Sequence, residues 1–286
     1  MKVIVTGAEG MLGRDVVRAA EFVNHEVVPL ARAALDITDA DAVRRRLSQE
    51  QPGAVVNCAG YTDVDSAQDD TAAAMAVNAA GAHNVAAAAA EVGASVVYPS
   101  TDYVFDGAKR EPYLESDEPS PQSVYGQSKL AGEQATTAAN VRHFVARSAW
   151  LFGHGGRNFV DTMLTLGRDR GPVVVVRDQT GSPTYTAHLA QAIVQLLDSA
   201  DYGIHHLASA GHCSWYEFAV EIFRQAELKC IVMSCTTADF GRPAPRPPYS
   251  VLESERNPAI VLPDWRRGLG SYLGERRLAT PARARS

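Results

Sequence analysis

Lys2-Val3-Ile4-Val5-Thr6-Gly7-Ala8-Glu9-Gly10-Met11-Leu12-Gly13 opens the chain, and its reading decides the fold. The β-branched run from Val3 to Thr6 suits a short strand buried on both faces. It passes straight into G-x-x-G-x-x-G, and a helical pattern follows from Arg14 to Phe22. Strand, glycine turn and helix in that order form the context a dinucleotide fingerprint requires. Gly7 permits the tight turn, Gly10 lets a pyrophosphate approach the backbone, and Gly13 lets the helix pack close to the sheet. Free N–H groups at the helix start, in the Met11-Leu12-Gly13 stretch, then face the pyrophosphate. A merely structural glycine-rich turn is the competing reading.

Working outward, His25-Glu26-Val27-Val28-Pro29-Leu30 is a second strand. No Asp or Glu follows it to grip a ribose 2′-hydroxyl; Ala31-Arg32 comes next. Arg32 is either a partner for a 2′-phosphate, favouring NADP over NAD, or a solvated loop residue. Asp36 and Ile37 open the next crossover as adenine contacts, unless Asp36 caps the helix starting there. Ala54-Val55-Val56-Asn57-Cys58-Ala59 is another buried strand, and Ala59, Gly60 and Tyr61 lie at its carboxyl end, where ligands bind in parallel sheets. An alanine-rich helix, Ala72 to Ala90 and interrupted by Gly81, leads to the strand Ala94–Ser100. This alternation predicts an α/β fold, a Rossmann-like doubly wound parallel sheet.

Ser100-Thr101-Asp102-Tyr103 closes that strand, and Tyr125-Gly126-Gln127-Ser128-Lys129 follows after a polar loop. On a helix, Tyr125 and Lys129 share one face. A neighbouring ammonium favours the phenolate and lowers the tyrosine pKa, so Tyr125 can give a proton to a developing alkoxide. The Thr101 hydroxyl is placed to hydrogen-bond the same oxygen. Two surface residues on a helix are the bland alternative for the Tyr-x-x-x-Lys pair; the glycine-rich start upstream argues for the functional one.

Val141–Arg147 reads as a strand closing with Trp150, which is either a wall of a sugar or base pocket or a core aromatic. Phe159–Gly167 reads as a helix and Val173–Val176 as a strand. Beyond Gln179-Thr180-Gly181-Ser182-Pro183-Thr184 the pattern changes: helix Ala187–Asp198, short strand Gly203–Leu207, helix Trp215–Gln225. The Pro-rich run Arg242–Pro248 is neither interior helix nor central strand. We expect a nucleotide-binding domain over 1–180, interleaved with a smaller C-terminal substrate-binding lobe over 181–277, and a disordered tail over 278–286. Arg246 is a candidate for a substrate phosphate or a solvated arginine.

The chain has 286 residues, 46% hydrophobic and 21% charged, an ordinary globular composition. A net charge of −6 without a basic run before the tail argues against a nucleic-acid partner. No apolar run approaches the roughly 20 residues of a membrane helix. Met1-Lys2 leads straight into a strand, without a signal-peptide pattern. The cysteines Cys58, Cys213, Cys230 and Cys235 lack paired spacing and read as reduced cytosolic thiols. His205, His206, His212 and Cys213 cluster without metal-site spacing, and no metal is assigned. The location expected is cytoplasmic.

Together, the glycine loop with Thr101, Tyr125 and Lys129 resembles the extended short-chain dehydrogenase/reductases. Within them the chain is similar to the dTDP-4-dehydrorhamnose reductase family. Asn57–Asp65, Ser100–Gly107, Val124–Glu133, Arg147–Trp150, Asp178–Thr184 and Arg242–Leu252 carry the resemblance, which runs from Met1 to about Leu273. It implies reduction at C4 of a dTDP-linked 4-keto-6-deoxysugar by NADP(H) or NAD(H), NADPH slightly favoured. Tyr125 would protonate the alkoxide, Lys129 would hold the cofactor ribose, and Thr101 would bond the sugar oxygen. Ser100 joins the cofactor contacts, and Val64, Asp102, Tyr103 and Trp150 line the sugar pocket. Some members place Mg²⁺ between glutamates at a dimer contact; Asp15 stands near that position here, and the metal is not carried over. The protein would act as a monomer or homodimer. A different 4-ketoreductase, a nucleotide-sugar epimerase or dehydratase, and a non-catalytic NADP-binding regulatory subunit are the other readings. Asp102 without a following Glu argues against the dehydratase, and the presence of Thr101, Tyr125 and Lys129 against the subunit.

Overall fold

Six parallel strands form the central sheet: β1 (Lys2–Thr6), β2 (Glu26–Leu30), β3 (Ala54–Asn57), β4 (Ser95–Thr101), β5 (His143–Ser148) and β6 (Gly203–His206). The structure, a computed structural model, describes residues 1–169 and 171–279. The tail expected from 278 onward lies, beyond Ala279, outside the described residues. The strand order is β2-β1-β3-β4-β5-β6. The chain builds outward from β1 to β2, then crosses back to lay β3 on the other side of β1. That reversal opens a crevice between the carboxyl ends of β1 and β3.

Val3, Ile4, Val5, Val55 and Val56 are wholly buried because helices cover both faces of the sheet. One face packs on α1 (Met11–Phe22) and α6 (Thr186–Leu197), through Leu12, Val16, Leu189 and Ile193. The other packs on α2 (Ala40–Glu50) and α3 (Ala82–Glu91), through Val43, Leu47, Val85 and Ala89. The alanine-rich segment is helical throughout, from Thr71 into α3, with a π-helical stretch at Ala76–Gly81. A Cβ on Gly81 would lie 2.7 Å from the Ile37 side chain, so glycine there lets this helix close on the β2–α2 crossover without displacing Ile37.

A second core holds Phe152, Val160, Met163, Phe218, Trp265 and Tyr272. It gathers α5 (Phe159–Arg168), α7 (Trp215–Gln225) and α8 (Trp265–Ala279) around a two-stranded parallel ribbon, Val173–Val176 with Val232–Cys235. The two cores are interleaved in sequence in both directions. Phe152, Val160, Met163, Leu164, Val173 and Val175 belong to the second core although they precede residue 180, whereas α6 packs on the central sheet and β6 joins it although they follow it. The helix over 40–50 is capped by Asp39, whose carboxylate accepts from the Ala42 amide at 2.9 Å. Asp36 is therefore not the cap: it accepts from the Thr38 amide and hydroxyl at 2.9 and 2.8 Å. The reason is register, because the helix begins three residues later than its position in the sequence pattern indicates.

Candidate active site

The crevice between β1 and β3 is built by glycine. Gly7 has φ +61°, and a Cβ on it would lie 2.6 Å from the Ala59 nitrogen, so the β1 turn seats directly on the backbone after β3. A Cβ on Gly13 would lie 2.2 Å from the Gly7 carbonyl oxygen. Gly10 is the N-cap of α1, and no side chain caps that helix. The amides of Met11, Leu12 and Gly13 are thus offered by backbone alone, the arrangement that suits a pyrophosphate. Ala59, Gly60 and Tyr61 form the facing wall. Arg32 is exposed in the turn after β2, close enough to Asp36 to help hold that carboxyl below its usual range. Ile37 is buried under the crossover rather than presented at its surface.

At the carboxyl end of β4 the second group assembles. Thr101 is the last residue of β4, and Ser100 beside it is buried. Tyr125 lies in the first turn of α4 (Val124–Ala139), whose N-cap Ser123 accepts from the Gly126 amide at 3.1 Å. Gly126 lets that turn close on the strand, since a Cβ there would lie 2.3 Å from the Tyr103 carbonyl oxygen. The Thr101 hydroxyl lies beside the Tyr125 phenol and lowers its pKa; it accepts from the Tyr103 amide at 3.2 Å and donates to Asp102 at 3.2 Å. The Tyr103 ring meets the Tyr125 ring edge-on at 5.7 Å. One helical turn along, Lys129 donates to the Pro99 carbonyl at 2.7 Å and lies 4.0 Å from the Tyr98 ring centre.

The electrostatics differ from the expectation that Lys129 depresses the Tyr125 pKa. Burial pushes the phenol up to about 12; the Thr101 hydroxyl pulls it down and Asp102 pushes it further up. Burial also brings Lys129 down to about 7, against the pull of Glu133 and Cys58. Both groups are enclosed, and loss of hydration disfavours the charged form of each. Asp102, 2% exposed, is raised by burial to about 7 although Ser250 donates to it at 2.5 Å. The folded carboxyl keeps its proton up to about pH 7, and the unfolded one releases it near 3.8. The folded protein therefore binds more protons in that window, and stability falls as pH rises through it. Asp102→Asn is expected to remove that slope, so its Tm relative to the parent should improve between about pH 4.5 and about pH 7.5. An unchanged Tm difference across the two buffers would mean that Asp102 does not titrate there.

On the substrate side, Val64 lies in the turn after Tyr61, next to Asp65. Asp65 accepts both Arg246 terminal nitrogens at 3.0 Å, Arg242 at 3.3 Å and the Ala244 amide at 3.2 Å. Arg246 is thus covered and paired (16% exposed), not a solvated arginine. Trp150, with φ +49°, stacks flat on Trp215 at 3.6 Å between ring centres. A Cβ on Gly181 would lie 2.4 Å from the Trp150 indole, which fixes that ring from behind. Trp215, Phe159, Gln179, Phe240, Arg242 and Arg246 line a cavity of about 330 Å³. Trp150 is therefore both a packed aromatic and the backing of a pocket wall.

Several residues of this region carry no signature of their own in the sequence. Asn78, buried in the π-helical stretch, accepts the Tyr61 amide at 2.8 Å and donates to the Tyr61 carbonyl at 2.9 Å and to Ser128 at 2.9 Å. It ties the crevice wall to the helix bearing Tyr125 and Lys129. Its one signal is an asparagine inside an alanine run. Ser250, Asp65 and Trp215 are found only through contacts with residues far along the chain.

Residues 1–278 match the family model described as the RmlD substrate binding domain. The chain belongs to the RmlD family. This RmlD-family protein is 43% identical over 275 residues to a dTDP-4-dehydrorhamnose reductase of Mycolicibacterium smegmatis, covering 94% of this chain and 84% of the relative. It is 42% identical over 275 residues to a probable dTDP-4,6-dihydroxy-2-methyloxan-3-one 4-ketoreductase of Streptomyces antibioticus, covering 94% and 93%. Among solved structures, the dTDP-4-dehydrorhamnose reductase of Bacillus anthracis in complex with NADP superimposes with a TM-score of 0.94 at 40% identity, covering 96% of this chain and 99% of that one. Among the described residues, no helix is long and apolar enough to cross a membrane.

Proposed function

We propose that this protein reduces the C4 keto group of dTDP-4-dehydro-L-rhamnose to give dTDP-L-rhamnose, with NADPH favoured over NADH. The observation that carries the proposal is the meeting of Thr101, Tyr125 and Lys129 at the end of β4, beside a crevice that only glycine can form. Gly7, Gly10, Met11, Leu12 and Gly13 would hold the pyrophosphate, Ala59, Gly60, Tyr61 and Ser100 the nicotinamide side, and the exposed Asp36, backed by the buried Ile37, the adenosine side. When bound there, the cofactor supplies a hydride to the carbonyl carbon.

The chain's own residues handle the oxygen. With substrate bound, the Thr101 hydroxyl turns its proton from Asp102 to the keto oxygen and polarises it. As negative charge develops, the Tyr125 hydroxyl transfers its proton, forming the new O–H bond. A phenol raised to about 12 keeps its proton until a stronger base, the alkoxide, appears beside it. Lys129 holds the cofactor ribose and, while protonated, stabilises the tyrosinate left behind. Val64, Asp102, Tyr103 and Trp150 enclose the sugar, and Arg242 and Arg246 face its diphosphate. The reaction takes place in the cytoplasm, by a monomer or homodimer.

The test is oxidation of NADPH and of NADH by the pure protein, with dTDP-4-dehydrorhamnose generated in place by an epimerase. Rapid oxidation with dTDP-L-rhamnose as product is expected. Arg32→Ala should reduce the NADPH/NADH preference about tenfold if Arg32 pairs with the 2′-phosphate. An unchanged preference would remove Arg32 from the site. The Streptomyces antibioticus relative favours one second reading, a 4-ketoreductase of another dTDP-deoxysugar. Cofactor binding without turnover of dTDP-4-dehydrorhamnose would move the assignment there.

A further inference from the structure

Tyr125, Lys129 and Glu133 are spaced by four residues along α4, so the catalytic face continues one turn past the lysine. Glu133 is buried, and nothing in the proposed reaction uses it. Its carboxylate accepts from the Ser100 hydroxyl at 2.5 Å, and from Arg147 Nε at 3.0 Å and Nη2 at 2.7 Å. Ser100 immediately precedes Thr101 on β4. Arg147 lies on β5, almost fully buried, with its guanidinium against the Phe105 ring and 3.5 Å from the His206 ring nitrogen on β6. The carboxylate thus joins the helix bearing Tyr125 and Lys129 to the strand bearing Thr101.

Resting on the reading of Lys129 as the cofactor lysine, we infer that the Glu133–Arg147 pair is a positioning device, which fixes the charge on Lys129 and holds Thr101 in register with Tyr125. The groups facing Lys129 can be named element by element. Cys58 approaches from the segment after β3, Tyr98 and the Pro99 carbonyl from β4, and Glu133 from its own helix, on which Tyr125 lies one turn earlier. Burial pushes the Cys58 thiol up to about 12 and the Tyr98 phenol well up, so both stay neutral near pH 7. Glu133 is then the anion that favours the Lys129 ammonium, with Arg147 behind it as the opposing cation. Arg147 offsets part of the pull of Glu133, and either partner alone would leave a buried charge uncompensated.

The arrangement makes opposite changes give opposite signs. Glu133→Gln keeps the shape, removes the anion and leaves Arg147 unpaired, so Lys129 should lose its proton at lower pH. Arg147→Gln removes the opposing cation and leaves the carboxylate with the Ser100 hydroxyl, so Lys129 should hold its proton to higher pH. Ser100→Ala breaks one hydrogen bond without changing charge and should leave the Lys129 titration in place. A general packing defect would not reverse sign between the first two variants.

The protein has only four lysines, Lys2, Lys109, Lys129 and Lys229, which permits a direct reading. Protein labelled with ¹³C-lysine is titrated by NMR, with Lys129 assigned by the signal lost in Lys129→Arg. We expect the Lys129 midpoint to fall by about one pH unit in Glu133→Gln and to rise by a similar amount in Arg147→Gln. Midpoints that stay put, or move the same way in both, would overturn the inference. If Glu133→Gln does not fold, the Arg147→Gln shift and the Ser100→Ala control decide it alone. This readout needs no substrate, so a protein inactive on dTDP-4-dehydrorhamnose would count against the proposed reaction and leave the charge relay standing.

Discussion

Tyr125→Phe is expected to lower turnover by about 10²–10⁴-fold, the range that a positioned general acid supplies, with cofactor affinity within about twofold of the parent. The substitution removes one oxygen and keeps the ring, so the edge-on contact with Tyr103 at 5.7 Å survives. What is lost is the proton that must reach the sugar oxygen and the phenol oxygen beside Thr101. The glycine crevice and Lys129 are untouched, which is why binding and chemistry should separate. Single-turnover kinetics with NADPH measures the first quantity, and fluorescence titration of NADPH the second. Turnover within about tenfold of the parent would mean that another group delivers the proton. Asp102 would be the first suspect, because burial keeps its carboxyl protonated to about pH 7 and Thr101 links it to the same oxygen.

The second large effect is at Gly13. Gly13→Ala places a methyl 2.2 Å from the Gly7 carbonyl oxygen and 2.9 Å from the Ala8 Cα, both backbone atoms inside the cofactor loop. Neither can swing away as a side chain would, so α1 must shift from the sheet or the loop must open. The overpacking alone costs about 1–3 kcal/mol, and NADPH affinity should fall about 100-fold or more. Gly10→Ala is the companion. Its methyl would meet only the Gly7 carbonyl oxygen, at 3.3 Å, so the fold should persist while the pyrophosphate approach is narrowed. Parent-like NADPH binding in both variants would show that this loop is a structural turn and not the cofactor cradle.

Much of the fold was legible because its signals are local. A β-branched run ending in glycine predicts β1 and its turn, and the observed strand and helix follow that reading to within a few residues. Tyr125 and Lys129 share a face because a helix repeats every 3.6 residues, which the spacing alone shows. The starting residue of α2 was less legible, because Asp36 and Asp39 are both good caps and only the packed crossover selects Asp39. The split between cores was least legible. The helix Thr186–Leu197 has the same amphipathic pattern whether it covers the central sheet or the second core, and only the partner decides which.

By itself, then, the sequence determined the class of fold, the glycine turn at the switch of the sheet and the pairing of a tyrosine with a lysine near a threonine. These depend on backbone sterics and short-range periodicity. The tertiary structure alone decided how Tyr125 and Lys129 titrate, because burial pushes the phenol up and the ammonium down. It also decided that Arg246 pairs with Asp65, that Trp215 lies on Trp150, and that Glu133 meets Ser100 and Arg147. Such contacts follow from strand order and helix docking, and neither is written in the spacing of residues within one element.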